Sequence, residues 1–172
     1  TLYQRHKNAL YRYFYRQLQN SAIADELHQD VWMKIIKSST IFNHQSLFTT
    51  WLFKIAHNRL IDYYRHNKNQ VQEIVDEQLS LEIEMEVENS QNEGLNQTLQ
   101  PDKLVEQKQM YKQIILAVDS LPLEQKETFL LYEHSGLSLK EIAKITDVSF
   151  ENSKSRLRYA LKKLRLQLRE LL

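Results

Sequence analysis

The strongest structural signal in this chain lies in residues 138–172, SLKEIAKITDVSFENSKSRLRYALKKLRLQLRELL. Ser138 and Glu141 have capping-box spacing, which predicts the start of a short helix. Asp147 tolerates a left-handed backbone, so a tight turn is expected around it. Ser149 then caps a second, longer helix.

This second helix combines an apolar side with a basic side. Its predicted inward stripe is Leu157, Leu161, Leu164 and Leu168. Residues 154–169 contain seven Lys or Arg and no carboxylate. A short helix, a tight turn and a longer helix with a polar, cationic start are typical of the helix-turn-helix, whose second helix enters the DNA major groove. A surface helix of any bundle shows a similar pattern, so the rest of the chain must distinguish the two.

The composition favours an all-α protein with two small helical domains. The 172 residues include only two Gly and two Pro, which disfavours sandwiches, barrels and glycine-loop nucleotide folds. The lack of Cys excludes disulfides, thiolate metal sites and cysteine nucleophiles. No apolar run approaches the roughly 18 residues of a membrane span and no signal-peptide pattern is seen. We therefore expect a cytoplasmic protein without membrane insertion.

Charge divides the chain into three parts. Residues 1–70 carry ten Lys or Arg against four Asp or Glu, residues 71–105 one against nine, and residues 106–172 twelve against nine. We accordingly predict a first domain at 1–70, an acidic, flexible linker at 71–100 and a second domain at 101–172. Two basic modules indicate a polyanionic partner.

The first domain is predicted to be a three-helix bundle. Apolar spacing favours helices at residues 2–19, 23–37 and 46–67. Twelve of the seventeen aromatic residues lie in this part of the chain. Most would fill the core of the bundle, while exposed ones offer flat surfaces on which unstacked bases could lie.

The second domain begins with two further predicted helices. Pro101 suits the first position of a helix that runs to about Asp119. Leu121-Pro122 begins the next one, and Gly136 suits its C-cap. The inward stripe of the first of these helices is predicted to be Val105, Met110, Ile114, Ile115 and Val118.

Two stretches together resemble a known family. ADELHQDVW at 24–32 and FTTWLFKIAHNRLIDYYR at 48–65 resemble conserved region two of bacterial RNA polymerase sigma factors. LPLEQKETFLL at 121–131, through SFENSKSRL at 149–157, is similar to region four of their extracytoplasmic-function (ECF) group. The resemblance covers nearly the whole chain except the acidic linker.

The resemblance implies a transcription initiation factor that binds core RNA polymerase and promoter DNA. The implied polymerase-binding residues are Asp25, Glu26, Gln29, Asp30 and Trp32. The implied contacts with the minus-ten element, which this domain helps to melt, are Phe48, Trp51, Lys54, His57, Asn58, Arg59, Asp62 and Arg65. The implied contacts with the minus-35 element are Ser149, Glu151, Asn152, Lys154, Ser155, Arg156 and Arg158.

Further expectations come with the resemblance. An anti-sigma factor is an expected partner, and the chain is expected to be a monomer when free of polymerase. The loop at 41–47 is in the right position to form a pocket for a flipped base. The polymerase would carry the chemistry, so we predict neither enzymatic activity nor a metal or cofactor.

The sequence departs from the family pattern at three positions. Glu26 replaces an Asp of the polymerase-docking helix. Glu151 and Ser153 stand in the recognition helix where the family often has a small and an apolar residue. Ser153 is therefore expected to loosen the packing of the two helices or to shift the DNA-reading face.

The acidic linker has two interpretations. In sigma factors the equivalent segment threads the nucleic-acid channel of the polymerase, where an acidic chain resembles RNA in charge. A solvated spacer is the other interpretation. We also hypothesise that the linker folds onto the basic modules and weakens DNA binding by the free protein, through Glu82, Glu84, Glu86 and Glu88.

Other functions compete with the sigma-factor interpretation. A stand-alone helix-turn-helix regulator would use its N-terminal bundle to sense a ligand or to dimerise. An interaction protein that antagonises a polymerase or regulator would use the same helices without reading DNA. An enzyme is disfavoured, since the six His show no metal-ligand spacing and no nucleophile motif or glycine loop occurs.

Overall fold

The structure, a computed structural model, describes residues 1–38, 47–67 and 101–169. These residues form seven α-helices and no strand, which confirms the all-α prediction. The helices are α1 (Leu2–Leu18), α2 (Ser21–Lys37), α3 (Phe48–His66), α4 (Pro101–Asp119), α5 (Leu123–Ser135), α6 (Leu139–Thr146) and α7 (Phe150–Arg169). Residues 41–46 of the predicted base pocket and the linker at 71–100 lie outside the described residues.

Local hydrogen bonds fix the boundary between α1 and α2. Gln19 ends α1 in the left-handed region, at φ 51°, and its N–H donates to the Tyr15 carbonyl. Asn20 then begins α2, where its Oδ1 accepts the Ile23 N–H at 3.1 Å. A left-handed residue followed at once by an N-cap reverses the chain within two residues. The two helices consequently pack against each other, and α3 packs on both.

The first domain has an aliphatic and aromatic core. Leu10 and Phe14 of α1 are fully buried, as are Leu27 of α2 and Leu52 and Phe53 of α3. Deep burial of such large side chains stabilises each by roughly 1.5–3 kcal/mol. Most aromatic residues of this domain therefore serve packing.

In the second domain, α7 packs against α4, α5 and α6. One side of α7 is buried, with Leu157, Ala160 and Leu164 facing inward. Ala160 and Leu164 share a cluster with Val118 of α4 and Leu130 of α5. The buried side of the recognition helix thus contacts three other helices of its domain.

Two predicted inward stripes need correction. Leu161 is 39% exposed, and Ala160 takes the inward position instead. Successive residues are about 100° apart on a helix, so only one of the two can face the core. Met110 and Ile114 are likewise exposed, whereas Ile115 and Val118 are buried as predicted. The side chain of Val105 lies outside the described ones.

The two domains contact each other along a surface that we call the domain seam: α3 lies against α6, and α1 against α5. Leu131 of α5 and Ile142 and Ile145 of α6 belong to the same buried cluster as Leu52 and Phe53 of the first domain. The second domain is therefore packed on the first through a continuous apolar core.

Among the described helices, none is long and apolar enough to cross a membrane.

Gly136 gives a test of the αL cap that ends α5. Its φ is 62°, and an added Cβ would meet no atom within 4 Å. Gly136→Ala should therefore lower the free energy of unfolding by about 1 kcal/mol through backbone strain alone. Urea unfolding measures this change, with Gly136→Asn as the milder control because Asn tolerates the αL region. An Ala variant as stable as the wild type would contradict the assignment.

Candidate nucleic-acid interface

The helix-turn-helix of the second domain is built as its sequence predicts. Ser138 Oγ accepts the Glu141 N–H at 3.3 Å, and Glu141 Oε2 accepts the Ser138 N–H at 2.8 Å, which completes the capping box of α6. Asp147 ends α6 at φ 54°, and the Val148 N–H donates to the Ala143 carbonyl at 3.1 Å. These contacts set the angle at which α7 leaves the turn.

Ser149 has a structural role in addition to its predicted contact with DNA. Its Oγ accepts the Asn152 N–H at 3.1 Å, so it caps α7. The N-terminal N–H groups of α7 and their positive dipole end lie beside Ser149, a favourable environment for a phosphate.

The first turns of α7 present most of the residues predicted to contact the minus-35 element. Glu151, Asn152, Lys154 and Arg158 are exposed, and Ser155 is half-buried. The Arg158 guanidinium lies 5.2 Å from the centre of the Tyr159 ring. α7 thus exposes these polar side chains while it buries Leu157, Ala160 and Leu164 on its inner side, as a helix that enters the major groove requires.

Arg156 differs from these residues because it is already paired within its domain. Its guanidinium lies 2.7 Å from the carboxylate of Glu124 on α5, and its side chain is only 21% exposed. Arg156 therefore lies at the flank of the DNA-reading face, where Glu124 competes with DNA for its charge.

Ser153 occupies the inner side of α7. It is fully buried, and its Oγ has no hydrogen-bond partner among the described residues. The inward position agrees with the apolar residue that the family often has there. Burial of an unsatisfied hydroxyl costs about 1–3 kcal/mol.

In the first domain, one side of α3 carries five of the residues predicted to contact the minus-ten element. Trp51, Lys54, Asn58, Asp62 and Arg65 follow one another at spacings of three or four, so they share a helix face. Asn58, Asp62 and Arg65 are exposed. An amide that can read a base edge thus shares a helix face with a cation that can hold a phosphate, about two turns away.

Phe48 and Trp51 are half-buried at the start of α3. Their ring centroids are 5.9 Å apart, and Phe48 also contacts His6. Both rings pack against the core of the first domain. They therefore form an aromatic surface next to the predicted pocket loop.

Lys54 and His57 contact the second domain, although the Lys54 side chain remains 32% exposed. Lys54 Nζ donates to the carbonyls of Lys144 and Ile145, at 3.2 and 2.9 Å, and to Asp147 Oδ2 at 2.6 Å. His57 is buried, and its Nδ1 lies 2.6 Å from Glu127 Oε1. The arrangement of the two domains therefore covers two residues of the predicted promoter surface.

Arg59 links the predicted polymerase-binding and promoter-binding surfaces. Its guanidinium lies 2.7 Å from Asp30 and 3.9 Å from Glu26, both on α2. Asp25, Glu26, Gln29 and Asp30 are exposed along α2. Trp32 is half-buried, with its ring in edge contact with Tyr3 at 4.9 Å.

Glu127 and Tyr13 form a buried polar contact that was not predicted from the sequence. The Tyr13 hydroxyl donates to Glu127 Oε1 at 2.5 Å, and both residues are buried. Burial raises the pKa of Tyr13 well above its ordinary value, and Glu127 raises it further by its charge and by the hydrogen bond. Tyr13 consequently remains a donor at physiological pH. A signal for Glu127 existed in the sequence, because it lies three and four residues before Leu130 and Leu131, which places it on the same side of α5 as these buried residues.

Two further carboxylates at the seam have lowered pKa values. Burial alone would raise the pKa of Glu141, but hydrogen bonds from Ser138 and from Thr50 Oγ1 outweigh it. The hydrogen bond and charge of Lys54 lower the pKa of Asp147. Both contributions to stability are present above the ordinary carboxyl pKa and are lost as the pH falls through the lowered values.

Within the part of the chain that the structure describes, no group of three His, Asp or Glu side chains could hold a metal ion.

Two family models match the chain. The model described as Sigma-70 region 2 matches residues 2–70, and the model described as Sigma-70, region 4 matches residues 111–164. The first contains α1–α3, and the second contains the helix-turn-helix.

Relatives and a solved structure agree with these matches. The chain is 28% identical to the RNA polymerase sigma factor YlaC of Bacillus subtilis over 98% of this chain and 88% of the relative. It is 26% identical to the ECF RNA polymerase sigma factor SigX of the same organism over 95% and 80%. A co-crystal structure of the sigma factor RpoE with the anti-sigma factor NepR from Bartonella quintana is similar in fold, with a TM-score of 0.68 at 20% identity, covering 98% of this chain and 94% of that one.

The buried hydroxyl of Ser153 gives a stability test. Ser153→Ala removes an unpaired polar group from the core and should raise the free energy of unfolding by about 1 kcal/mol. Ser155→Ala on the outer side of the same helix is the matched control, since it makes the same gain in helix propensity without the burial. Thermal or urea unfolding compares the two. Equal effects of both substitutions would contradict a cost of burying Ser153.

Proposed function

The chain belongs to the sigma-70 family of bacterial RNA polymerase sigma factors, of the ECF type, and we propose how its helices divide the work of a transcription initiation factor. In this proposal α2 docks on the core polymerase, α3 contacts the minus-ten element, and α7 reads the minus-35 element. The polymerase supplies all of the chemistry. The bacterial cytoplasm is the compartment in which these partners meet.

The exposed start of α7 carries the proposal. Lys154 and Arg158 are exposed on α7 of a complete helix-turn-helix, whose inner side buries Leu157, Ala160 and Leu164. An Arg side chain can donate to the O6 and N7 atoms of guanine, and both Lys154 and Arg158 can bind phosphate. We assign base reading first to Arg158 and Asn152, since Glu124 holds Arg156.

The role of α3 rests on its mixture of groups. Asn58 can hydrogen-bond a base edge, Arg65 can hold the backbone of a separated strand, and Trp51 offers a face on which a base can stack. Asp62 lies 3.6 Å from Arg65 and orients it. A helix with these groups suits single-stranded DNA better than an intact duplex.

The role of α2 rests on its acidic surface. The exposed Asp25, Glu26, Gln29 and Asp30, with Trp32 at their edge, form a face that is complementary to a basic partner. Arg59 lies 2.7 Å from Asp30, so this ion pair joins the proposed polymerase-binding surface on α2 to the proposed promoter-binding surface on α3.

We propose an anti-sigma factor as a further partner, since the structurally similar RpoE is described in complex with one. A monomer in the absence of polymerase is the accompanying expectation.

The stand-alone regulator is not favoured, because the region-2 match covers the bundle that such a regulator would use to sense a ligand or to dimerise.

Run-off transcription tests the proposal. Purified bacterial core polymerase, with a randomised promoter library, should give transcripts only when the chain is added. Arg158→Ala should lower the yield about tenfold through a lost contact with the minus-35 element. Asn58→Ala should lower the yield without weakening binding to the minus-35 duplex.

Lys112→Ala is the matched control, because Lys112 is an exposed cation on α4, outside the helix-turn-helix. Its yield should equal that of the wild type. Transcripts that are absent with the wild-type chain, together with tight duplex binding by the chain alone, would refute the sigma-factor role and favour a regulator.

A further inference from the structure

His28 lies on α2 among the proposed polymerase-binding residues, but its ring is directed toward α1. The ring is half-buried and meets the Tyr11 ring of α1 edge-on, with centroids 6.1 Å apart and planes at 84°. Trp32 follows about one helical turn later on the same side of α2, and its ring centroid lies 6.2 Å from that of His28. His28 therefore connects α1 with the aromatic end of the docking surface.

One ring nitrogen of His28 faces two groups with opposite needs. Nε2 lies 3.0 Å from the indole Nε1 of Trp32 and 3.1 Å from the carbonyl oxygen of Lys7. An indole N–H can only donate a hydrogen bond, and a carbonyl can only accept one. Nε2 satisfies the carbonyl when it carries a proton, and it satisfies the indole when it does not. The proton on Nε2 therefore decides whether His28 accepts the Trp32 N–H.

The surroundings of His28 favour the form that holds Trp32. The groups that face it are Lys7 and Tyr11 of α1 and Asp25 and Trp32 of its own helix. Burial lowers the pKa of His28 below its ordinary value, and this effect exceeds the opposite effects of the Lys7 carbonyl and the Asp25 charge. The ring is therefore mainly neutral at pH 7. A proton on Nδ1 then leaves Nε2 free to accept from the indole, since the Lys7 carbonyl already belongs to the hydrogen-bond ladder of α1.

Trp32 is thereby held from two directions. Tyr3 of α1 meets its ring edge-on at 4.9 Å, and His28 accepts its N–H. Tyr3 in turn lies beneath the ammonium group of Lys7, which is 5.8 Å from the centre of the Tyr3 ring. A side chain that is fixed before binding loses less rotational freedom when a partner immobilises it, so its preorganisation raises affinity. Trp is among the residue types that most often dominate the binding energy of an interface.

We propose that His28 is a positioning residue of the polymerase-docking surface, which fixes the Trp32 indole when its ring is neutral and releases the indole when its ring is protonated. This inference rests on the proposed role of α2. The Nε2–H of a protonated ring donates to the Lys7 carbonyl, and the indole N–H then loses this acceptor. Core polymerase consequently binds the chain more tightly near neutral pH than under mildly acidic conditions.

Two substitutions at residue 28 separate the hydrogen bond from the bulk of the ring. His28→Gln places an amide near the position of Nε2, with an oxygen that can accept from Trp32 and no group that titrates. His28→Leu keeps a side chain of similar size but offers no acceptor. His66→Gln is the matched control, because His66 is an exposed histidine at the end of α3, outside the proposed polymerase-binding residues.

The hydrogen bond can be measured in the free, full-length chain by nuclear magnetic resonance. The chain has two Trp and gives two indole N–H signals, and Trp51→Phe assigns the remaining signal to Trp32. In the wild type this signal should move as the pH falls from 7.5 to 5.5, with the same midpoint as the ring protons of His28. The movement should be absent in His28→Gln and unchanged in His66→Gln.

The consequence for docking is measured with immobilised core polymerase and the full-length chain. At pH 7.5, His28→Leu should weaken binding about tenfold, which corresponds to the loss of one hydrogen bond to a partly buried donor. His28→Gln and His66→Gln should bind like the wild type. As the pH falls to 5.5, the affinity of the wild type should approach that of His28→Leu. Other histidines titrate in the same range, so the wild type is compared with His28→Gln at each pH.

A double-mutant cycle tests whether His28 acts through Trp32. Trp32→Phe removes the indole N–H and keeps an aromatic ring. His28→Leu should therefore cause little further loss of polymerase binding when it is added to Trp32→Phe. An equal loss in both backgrounds would overturn the positioning role, since His28 would then contribute independently of the indole.

The outcomes distinguish this inference from the proposed function. An indole signal that does not titrate with His28 would overturn the inference even if the chain supports transcription. The same pH dependence of polymerase binding in the wild type and in His28→Gln would overturn it too. Failure of the proposed function appears instead as a wild-type chain that does not bind core polymerase at any pH while its indole signal still titrates, and it would remove the docking role of His28 as well.

Discussion

The Glu127 carboxylate, buried between the two domains, is the contact on which the arrangement of this molecule depends. It meets a hydroxyl from α1 and an imidazole nitrogen from α3, so it binds two of the three helices of the first domain from a single position on α5. The apolar contacts around it contribute most of the seam's stability, but they are not directional. Glu127 selects the one orientation in which its own charge is satisfied.

Asp147 combines a local and a long-range role. Its left-handed backbone ends α6 and sets the path into the recognition helix, and its side chain binds Lys54 of the other domain. The turn of the helix-turn-helix is therefore also the edge of the domain contact. The turn that positions α7 is therefore linked, through Asp147, to Lys54 of the surface that we propose contacts the minus-ten element.

Local patterns in the sequence predicted the elements well. The capping box at Ser138, the left-handed Asp147 and the αL cap at Gly136 all occur as expected, since each depends on side chains within a few residues. The predicted inward stripes were less accurate. Ala160 is buried in place of its neighbour Leu161, and the two side chains point in directions about 100° apart around the helix axis. The two-domain, sigma-like organisation was also predicted.

The contacts between domains could not be predicted from the same patterns. The exposed face of α3 follows from helical spacing, but the burial of His57 and the pairing of Lys54 depend on partners 70 to 93 residues away in sequence. The sequence around α3 does not show whether a cation such as Lys54 binds DNA or caps a helix of the other domain. Likewise, the pairing of Arg156 with Glu124 became visible only when α5 and α7 were brought together.

The apolar part of the seam limits how independently the two domains can evolve. Ile142 and Ile145 belong to the helix-turn-helix, and they also pack in the same cluster as Leu52 and Phe53 of the first domain. A substitution at Ile142 or Ile145 therefore changes the packing between the two domains as well as the packing within the second domain. A chimera that joins this second domain to the first domain of a relative would keep both of the proposed promoter surfaces but lose the matched apolar surface between the domains. The residues on the two sides of this contact therefore have to change together.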